Sequence, residues 1–128
     1  MQKVLGAVVL LLGAATAQAK VTPNDPLPTN ILTCGGSVIT FIGGRLEGDT
    51  DFSTGIHVDY KNGGSGVGYE KVDAVANSKI GDHVFICLVF IPRNCPPGDD
   101  RGKIYTTTNL RTLDSWTLAD SQHSCGGA

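Results

Sequence analysis

The stretch GIHVDYKNGGSGVGY, residues 55–69, decides the fold class of this chain. Apolar and polar residues alternate in its first half, with Ile56, Val58 and Tyr60 on one side and His57 and Asp59 on the other. That alternation is the pattern of a strand with one buried face. An Asn-Gly-Gly step follows, and the alternation then resumes. Because Asn and Gly tolerate positive φ, the step predicts a tight hairpin between antiparallel strands.

Four further segments extend this pattern. Residues 37–42 (SVITFI) are rich in β-branched and aromatic side chains, which indicates a strand. Residues 83–91 (HVFICLVFI) are continuously apolar, which predicts a central strand buried on both faces. Residues 104–118 predict a second hairpin, and residues 72–78 allow a short helix. We therefore expect a small, mainly β, antiparallel domain: a meander, a barrel or a sandwich, with at most one short helix.

The chain divides into three parts. Residues 1–19 have the pattern of a signal peptide, with Lys3, an apolar run and an Ala-Gln-Ala cleavage motif. Residues 20–33 form a Pro-rich extended leader that we interpret as a spacer, and residues 34–128 form a single domain. No later apolar segment approaches the roughly 20 residues of a membrane-spanning helix. We expect an exported protein, periplasmic or extracellular, with no membrane insertion after signal removal.

Four cysteines follow the predicted signal peptide: Cys34, Cys87, Cys95 and Cys125. In an oxidising compartment they would form two disulfides, and three pairings are open. We favour Cys34–Cys87, joining neighbouring strands, with Cys95–Cys125, pinning the base of the second hairpin. Loop-closure entropy does not decide, since the favoured and the local pairing differ by only about 1 kcal/mol. The spacing matches neither a zinc site nor a redox motif, so we assign no metal.

Charge and motifs narrow the function. The formal net charge is −2 and no basic run occurs, which argues against nucleic-acid binding. The sequence contains no nucleophile elbow, phosphate loop, dinucleotide fingerprint or zinc-protease motif. These features favour a non-enzymatic binding or accessory protein without a cofactor. An inhibitor-type module that docks onto another exported protein is an example.

Three residues are candidates for such a binding surface. Trp116 and Tyr105 lie on opposing strands of the predicted second hairpin, and Arg111 lies at its tip. Tryptophan, tyrosine and arginine are enriched in binding hot spots. If the aromatic face is exposed, it is a partner-binding surface. If the face is covered, Trp116 belongs to the core, which is the interpretation we favour.

The alternative function is a small secreted hydrolase that uses His123 or His57 with nearby carboxylates. Asp120 lies close to His123 in sequence, although a surface histidine in a polar tail explains the same residues. His57 and Asp59 share a strand face, so they can hold a metal ion or transfer a proton. A solvated sheet face explains this pair equally well.

One acidic stretch also raises the question of calcium. Asp99 and Asp100, with Asp82 or Asp120 brought near, would supply oxygen ligands. The stretch lacks the ligand alternation of an EF-hand, and two prolines stiffen it. We prefer the interpretation that both aspartates stabilise the turn through hydrogen bonds to the backbone.

Overall fold

The computed structural model describes residues 2, 6, 8–14 and 21–127 of the chain. Its elements are β1 (Cys34–Gly43), β2 (Ile56–Tyr60), β3 (Ser65–Gly68), α1 (Asp73–Ala76), β4 (His83–Phe90), β5 (Ile104–Asn109) and β6 (Ser115–Ala119). The strands close into a barrel in the order β1-β2-β3-β6-β5-β4, and every neighbouring pair is antiparallel. The expected class is confirmed, and the barrel is the architecture that the chain adopts.

Both predicted hairpins form. β2 pairs with β3, and β5 pairs with β6. In the first turn Gly63 has a φ of 88°, a conformation that a glycine adopts without steric cost. The Asn62 side chain accepts a hydrogen bond from the Gly64 N–H across the same turn. The turn thus places β2 and β3 side by side, so that their outward-facing side chains are neighbours on one surface.

The long strand β1 closes the barrel. Its first half pairs with β4 and its second half pairs with β2. The register shifts between Ile39 and Phe41, at the point where the second pairing begins. Such an irregularity bends and twists a strand, so that one strand can take part in two neighbouring ladders.

The barrel interior holds the hydrophobic core. Its buried members are Ile39, Ile56, Val58, Tyr60, Val75, Val84, Ile86, Leu88, Tyr105 and Trp116. The expectation that β4 is buried on both faces is wrong, because burial alternates along it. A single-layer barrel leaves one face of each strand outside, and Phe90 at the end of β4 is 46% exposed.

The two disulfides join the favoured partners, Cys34–Cys87 and Cys95–Cys125. Cys34 and Cys87 lie directly opposite each other in the β1–β4 ladder. The second bond joins the segment between β4 and β5 to the C-terminal tail. The prediction of a disulfide-stapled β-domain is confirmed.

The predicted Pro-rich leader contacts the barrel over its described residues, 21–33. The Asp25 N–H donates to the Gly36 carbonyl, and the Gly36 N–H donates to the Asp25 carboxylate at 2.9 Å. Further along, the Leu32 N–H donates to the Leu88 carbonyl. A Cβ atom at Gly36 would lie 1.9 Å from the Thr22 carbonyl oxygen. Glycine at this position is therefore what lets the leader lie directly against β1.

Lys3 and the Ala-Gln-Ala cleavage motif of the predicted signal peptide lie outside the described residues. Within the described part of that segment, the side chains of residues 8–12 are 77–92% exposed. Across the described residues, no helix has the length and apolar character needed to cross a bilayer.

Candidate functional site

A cavity of about 470 Å³ opens on the outer surface of β1, β2 and β3. We call it the outer pocket. His57 and Asp59 line it from β2, and the loop between β1 and β2 contributes further walls. Both side chains belong to the half-exposed face of β2, with 31% and 40% of their surface accessible. A volume in this range is typical of ligand pockets.

Strand register builds the floor of this pocket in two rows. Asp59 lies between Phe41 of β1 and Ser65 of β3. In the next row His57 lies between Gly43 and Val67. Side chains directly opposite each other on one face of a sheet come within contact distance. A slip of one residue would turn the whole set toward the core, so the pocket depends on the hairpin register.

His57, Asp59 and Ser65 form one hydrogen-bonded cluster. The His57 Nε2 atom lies 2.8 Å from Asp59 Oδ1 and 3.2 Å from Ser65 Oγ. The Ser65 hydroxyl donates to the same Asp59 oxygen at 2.8 Å. A serine–histidine–aspartate relay needs the carboxylate and the hydroxyl on different ring nitrogens. Here both approach Nε2, so the cluster does not have the geometry of an activated serine nucleophile.

Phe41 forms a fixed aromatic wall of the pocket. Its ring meets the His57 ring at an angle of 62°, with centroids 5.2 Å apart. The tip of the Phe41 ring lies over Gly43, where a Cβ atom would be 2.5 Å from the ring. The side chain nevertheless remains 43% exposed. A glycine at position 43 therefore gives the ring a place to lie while part of it faces solvent.

Asp49 holds the loop between β1 and β2 in shape. Its carboxylate accepts hydrogen bonds from the backbone N–H groups of Asp51, Ser53 and Thr54. The Thr54 hydroxyl also donates to it and, with the backbone N–H groups of Thr54 and Asp51, holds the pKa of Asp49 well below its usual range. Gly44 allows the carboxylate to lie directly against the backbone, since a Cβ atom there would be 2.1 Å from Asp49 Oδ2.

Arg45 ties this loop to the C-terminal tail. Its Nε donates to the Thr54 carbonyl at 2.8 Å, and its Nη1 donates to Gln122 Oε1 at 2.9 Å. Its guanidinium also lies 4.4 Å from the centre of the Tyr69 ring, a cation–π contact. The Tyr69 hydroxyl in turn donates to the Gln122 carbonyl at 3.1 Å. These contacts bring three distant segments to one rim of the pocket.

The structure places Trp116 and Tyr105 in the core, each 5% exposed. The Trp116 indole N–H donates to the Tyr60 hydroxyl at 2.8 Å, and that hydroxyl contacts Thr107 at 3.3 Å. An exposed aromatic binding face is therefore not formed. Both side chains point inward because they lie on the core-facing side of the strands.

Arg111 remains partly exposed at the hairpin tip, but its guanidinium has an intramolecular partner. Its Nε and Nη2 donate to the two oxygens of the Asp82 carboxylate at 2.7 and 2.9 Å. Asn109, which is fully buried, also donates to Asp82. The Arg111 side chain, followed by Asn109 and the backbone of Lys79, holds the pKa of Asp82 well below its usual range. This arrangement stabilises the barrel end.

The second predicted acid–base pair, His123 with Asp120, does not form. His123 is exposed, and within the described residues its ring has no hydrogen bond to Asp120. The Asp120 carboxylate accepts from the Gly102 N–H and the Ser121 hydroxyl. Sequence proximity thus does not produce an acid–base pair at this position.

The acidic stretch near the second disulfide stabilises the tail. Asp99 binds the Arg101 guanidinium and accepts the Gly126 N–H, and these contacts hold its pKa well below its usual range. Asp100 lies 3.7 Å from the Lys103 ammonium. No group of three or more potential metal-ligating side chains occurs among the described residues. Asp99 thus accepts backbone N–H groups from the turn, Arg101, and from the tail, Gly126, whereas Asp100 contacts the Lys103 side chain.

Sequence reasoning selected His57 and Asp59 but missed Phe41, Arg45 and Ser65. Ser65 was accessible from sequence, because the Asn-Gly-Gly turn places it opposite Asp59. No local signal indicates that Phe41 or Arg45 joins them. Gln122 lies 77 positions from Arg45 along the chain, yet the two side chains are hydrogen-bonded.

Comparisons with known proteins find no match: no family model matches the chain, and neither a curated protein nor a solved structure is significantly similar to it. The function is therefore inferred from the chemistry of the outer pocket.

Proposed function

We propose that this chain is an exported, non-enzymatic binding module that engages another exported protein through the outer pocket. The observation that carries the proposal is the pocket itself. A cavity, a partly exposed aromatic ring and several polar and charged side chains meet there on one face of the sheet. Aromatic anchors in a pocket are typical of protein-binding hot spots.

Export is supported by two features. Disulfides such as these two form and persist mainly in oxidising compartments, for example a periplasm or the extracellular space. The sequence of residues 1–19 also has the pattern of a signal peptide.

Binding is favoured over hydrolysis by the geometry of the polar cluster. Asp59 and Ser65 both approach Nε2 of His57, whereas a serine–histidine–aspartate relay needs them on different ring nitrogens. Around the same pocket, Leu46 is 46% exposed and Tyr69 is 57% exposed. Exposed apolar side chains grouped beside a pocket are typical of protein-interaction sites.

The test is affinity capture with the oxidised full chain from envelope and culture-supernatant extracts, followed by calorimetry with the purified partner. We compare the wild type with Phe41→Ala, and with Leu113→Ala as the control. Leu113 is 76% exposed but lies in the turn of the second hairpin. Circular dichroism verifies that both variants are folded.

We expect a stoichiometric partner whose affinity falls about tenfold or more with Phe41→Ala, since truncation of a hot-spot aromatic typically costs this much. The Leu113→Ala affinity should match the wild type. Absence of any partner, or equal affinity of all three proteins, would refute the proposal.

A further inference from the structure

We propose that the outer pocket selects a basic side chain, arginine or lysine, presented by the partner protein. This inference rests on the proposed function and specifies the chemistry of the occupant. It follows from which charges in the pocket are already neutralised and which remain available.

Apart from His57, four side chains that carry a charge line the pocket. Two of them, Arg45 and Asp49, already have partners within the chain. The Arg45 guanidinium is hydrogen-bonded to Thr54 and Gln122 and stacked on Tyr69. The Asp49 carboxylate is filled by donors from its own loop. Their opposite charges offset each other, and both side chains serve the shape of the pocket wall.

The two remaining charges are the carboxylates of Glu47 and Asp59. Asp59 uses only its Oδ1 atom for His57 and Ser65. Within the part of the chain that the structure describes, neither Asp59 Oδ2 nor the Glu47 carboxylate has a hydrogen-bond donor or ion-pair partner. The pocket therefore presents a net negative charge and unfilled acceptors, which complement a cationic donor.

Phe41 and His57 extend this complementarity. Phe41 is 43% exposed, and the face of an aromatic ring attracts a guanidinium or ammonium group. The His57 Nε2 atom contacts Oδ1 of Asp59, so the second carboxylate oxygen stays available for a cation. An arginine or lysine side chain can lay its aliphatic stem against Phe41 and direct its charged head toward Asp59.

The test is an NMR titration of the isotope-labelled, oxidised full chain with blocked amino acids. Acetyl-arginine amide is the cationic probe, and acetyl-citrulline amide is its uncharged isostere. Acetyl-glutamate amide and calcium chloride are added in separate arms. The readouts are saturable chemical-shift changes at Phe41, His57 and Val67. The same titrations are then carried out with the Asp59→Asn variant.

We expect the arginine probe to bind at these residues at least about tenfold more tightly than the citrulline probe, as for hydrogen bonds to charged groups. Asp59→Asn should weaken arginine binding by a similar factor and leave citrulline binding nearly unchanged. Asparagine retains the shape of the side chain and removes the charge.

Four results would overturn the inference: equal binding of arginine and citrulline, preference for glutamate, saturation by calcium without arginine binding, or no shift with any probe. None of these removes the proposed function, which stands or falls on capture of a partner that depends on Phe41. Conversely, a partner insensitive to Phe41→Ala would refute the proposed function even if the arginine probe binds.

Discussion

Replacing Tyr60 with phenylalanine tests the polar chain inside the barrel. The Tyr60 hydroxyl accepts the Trp116 indole N–H at 2.8 Å and contacts Thr107 at 3.3 Å, and all three residues are at most 5% exposed. Removing the hydroxyl leaves the indole N–H buried without a partner. An orphaned donor of this kind costs about 1–3 kcal/mol, and the longer Thr107 contact adds less.

We therefore expect Tyr60→Phe to lower the free energy of unfolding by about 2 kcal/mol, or the melting temperature by roughly 10 °C for a domain of this size. The assay is urea unfolding of the oxidised chain followed by far-ultraviolet circular dichroism. Tyr69→Phe is the matched control. Its hydroxyl is also hydrogen-bonded, but the side chain is 57% exposed, so water replaces the lost contact. Its cost should stay below about 0.5 kcal/mol.

A double-mutant cycle with Trp116→Phe isolates the orphaned donor. In that background no indole N–H remains, so the cost of Tyr60→Phe should fall below about 1 kcal/mol. Unfolding is followed by circular dichroism rather than by tryptophan fluorescence, because Trp116→Phe removes the only tryptophan of the chain. An equal cost of Tyr60→Phe in both backgrounds would refute the reasoning, as would a cost in the wild type no larger than that of Tyr69→Phe.

Three further perturbations have expected outcomes. Burial raises the pKa of Tyr60 to about 12, above its ordinary value of 10.0. Its stabilising contribution is therefore present below pH 10 and lost between about pH 10 and 12, by ~3 kcal/mol, and alkaline urea titrations should show that Tyr60→Phe removes this loss. Asp82 has a lowered pKa, so its contribution is lost as the pH falls below its unfolded value near 4. Asp82→Asn should cost about 2 kcal/mol at neutral pH, the usual worth of hydrogen bonds to a charged group. Urea unfolding between pH 2 and 7 should show a flatter loss of stability in acid for this variant, and an unchanged loss would contradict the reasoning. Gly36→Ala places a Cβ atom 1.9 Å from leader backbone, whereas Gly35→Ala approaches only to 3.0 Å. Limited proteolysis with mass spectrometry should therefore detect faster cleavage of residues 21–33 in Gly36→Ala than in Gly35→Ala, and equal cleavage rates would be inconsistent with a docked leader.

Local features of the sequence were sufficient for the class of fold. The alternation in residues 55–60 and the Asn-Gly-Gly turn predicted the first hairpin, because side-chain direction and turn geometry depend on neighbouring residues. The favoured disulfides formed as well. Their pairing was not decided locally, because Cys34 and Cys87 are 53 residues apart and meet through the β1–β4 register. The same local reasoning brought His57 and Asp59 to one face, where they are hydrogen-bonded.

The candidate site was only half predictable for the same reason. His57 and Asp59 belong to one strand, so their proximity is local. Phe41 and Arg45 reach them through the β1–β2 register and a loop whose shape Asp49 controls. A pattern of apolar and polar residues does not encode that register, since several pairings preserve the same buried face.

The sequence by itself determined that the chain forms antiparallel hairpins with one apolar face, because side-chain periodicity and turn propensity act over a few residues. Only the tertiary structure decided that the sheet closes into a barrel, that Trp116 faces inward and that Arg111 binds Asp82. The tertiary structure likewise decided that the leader lies against Gly36 and that the outer pocket forms. These features depend on contacts between segments that are distant in sequence, and their free energy is set by which surfaces the closed barrel removes from water.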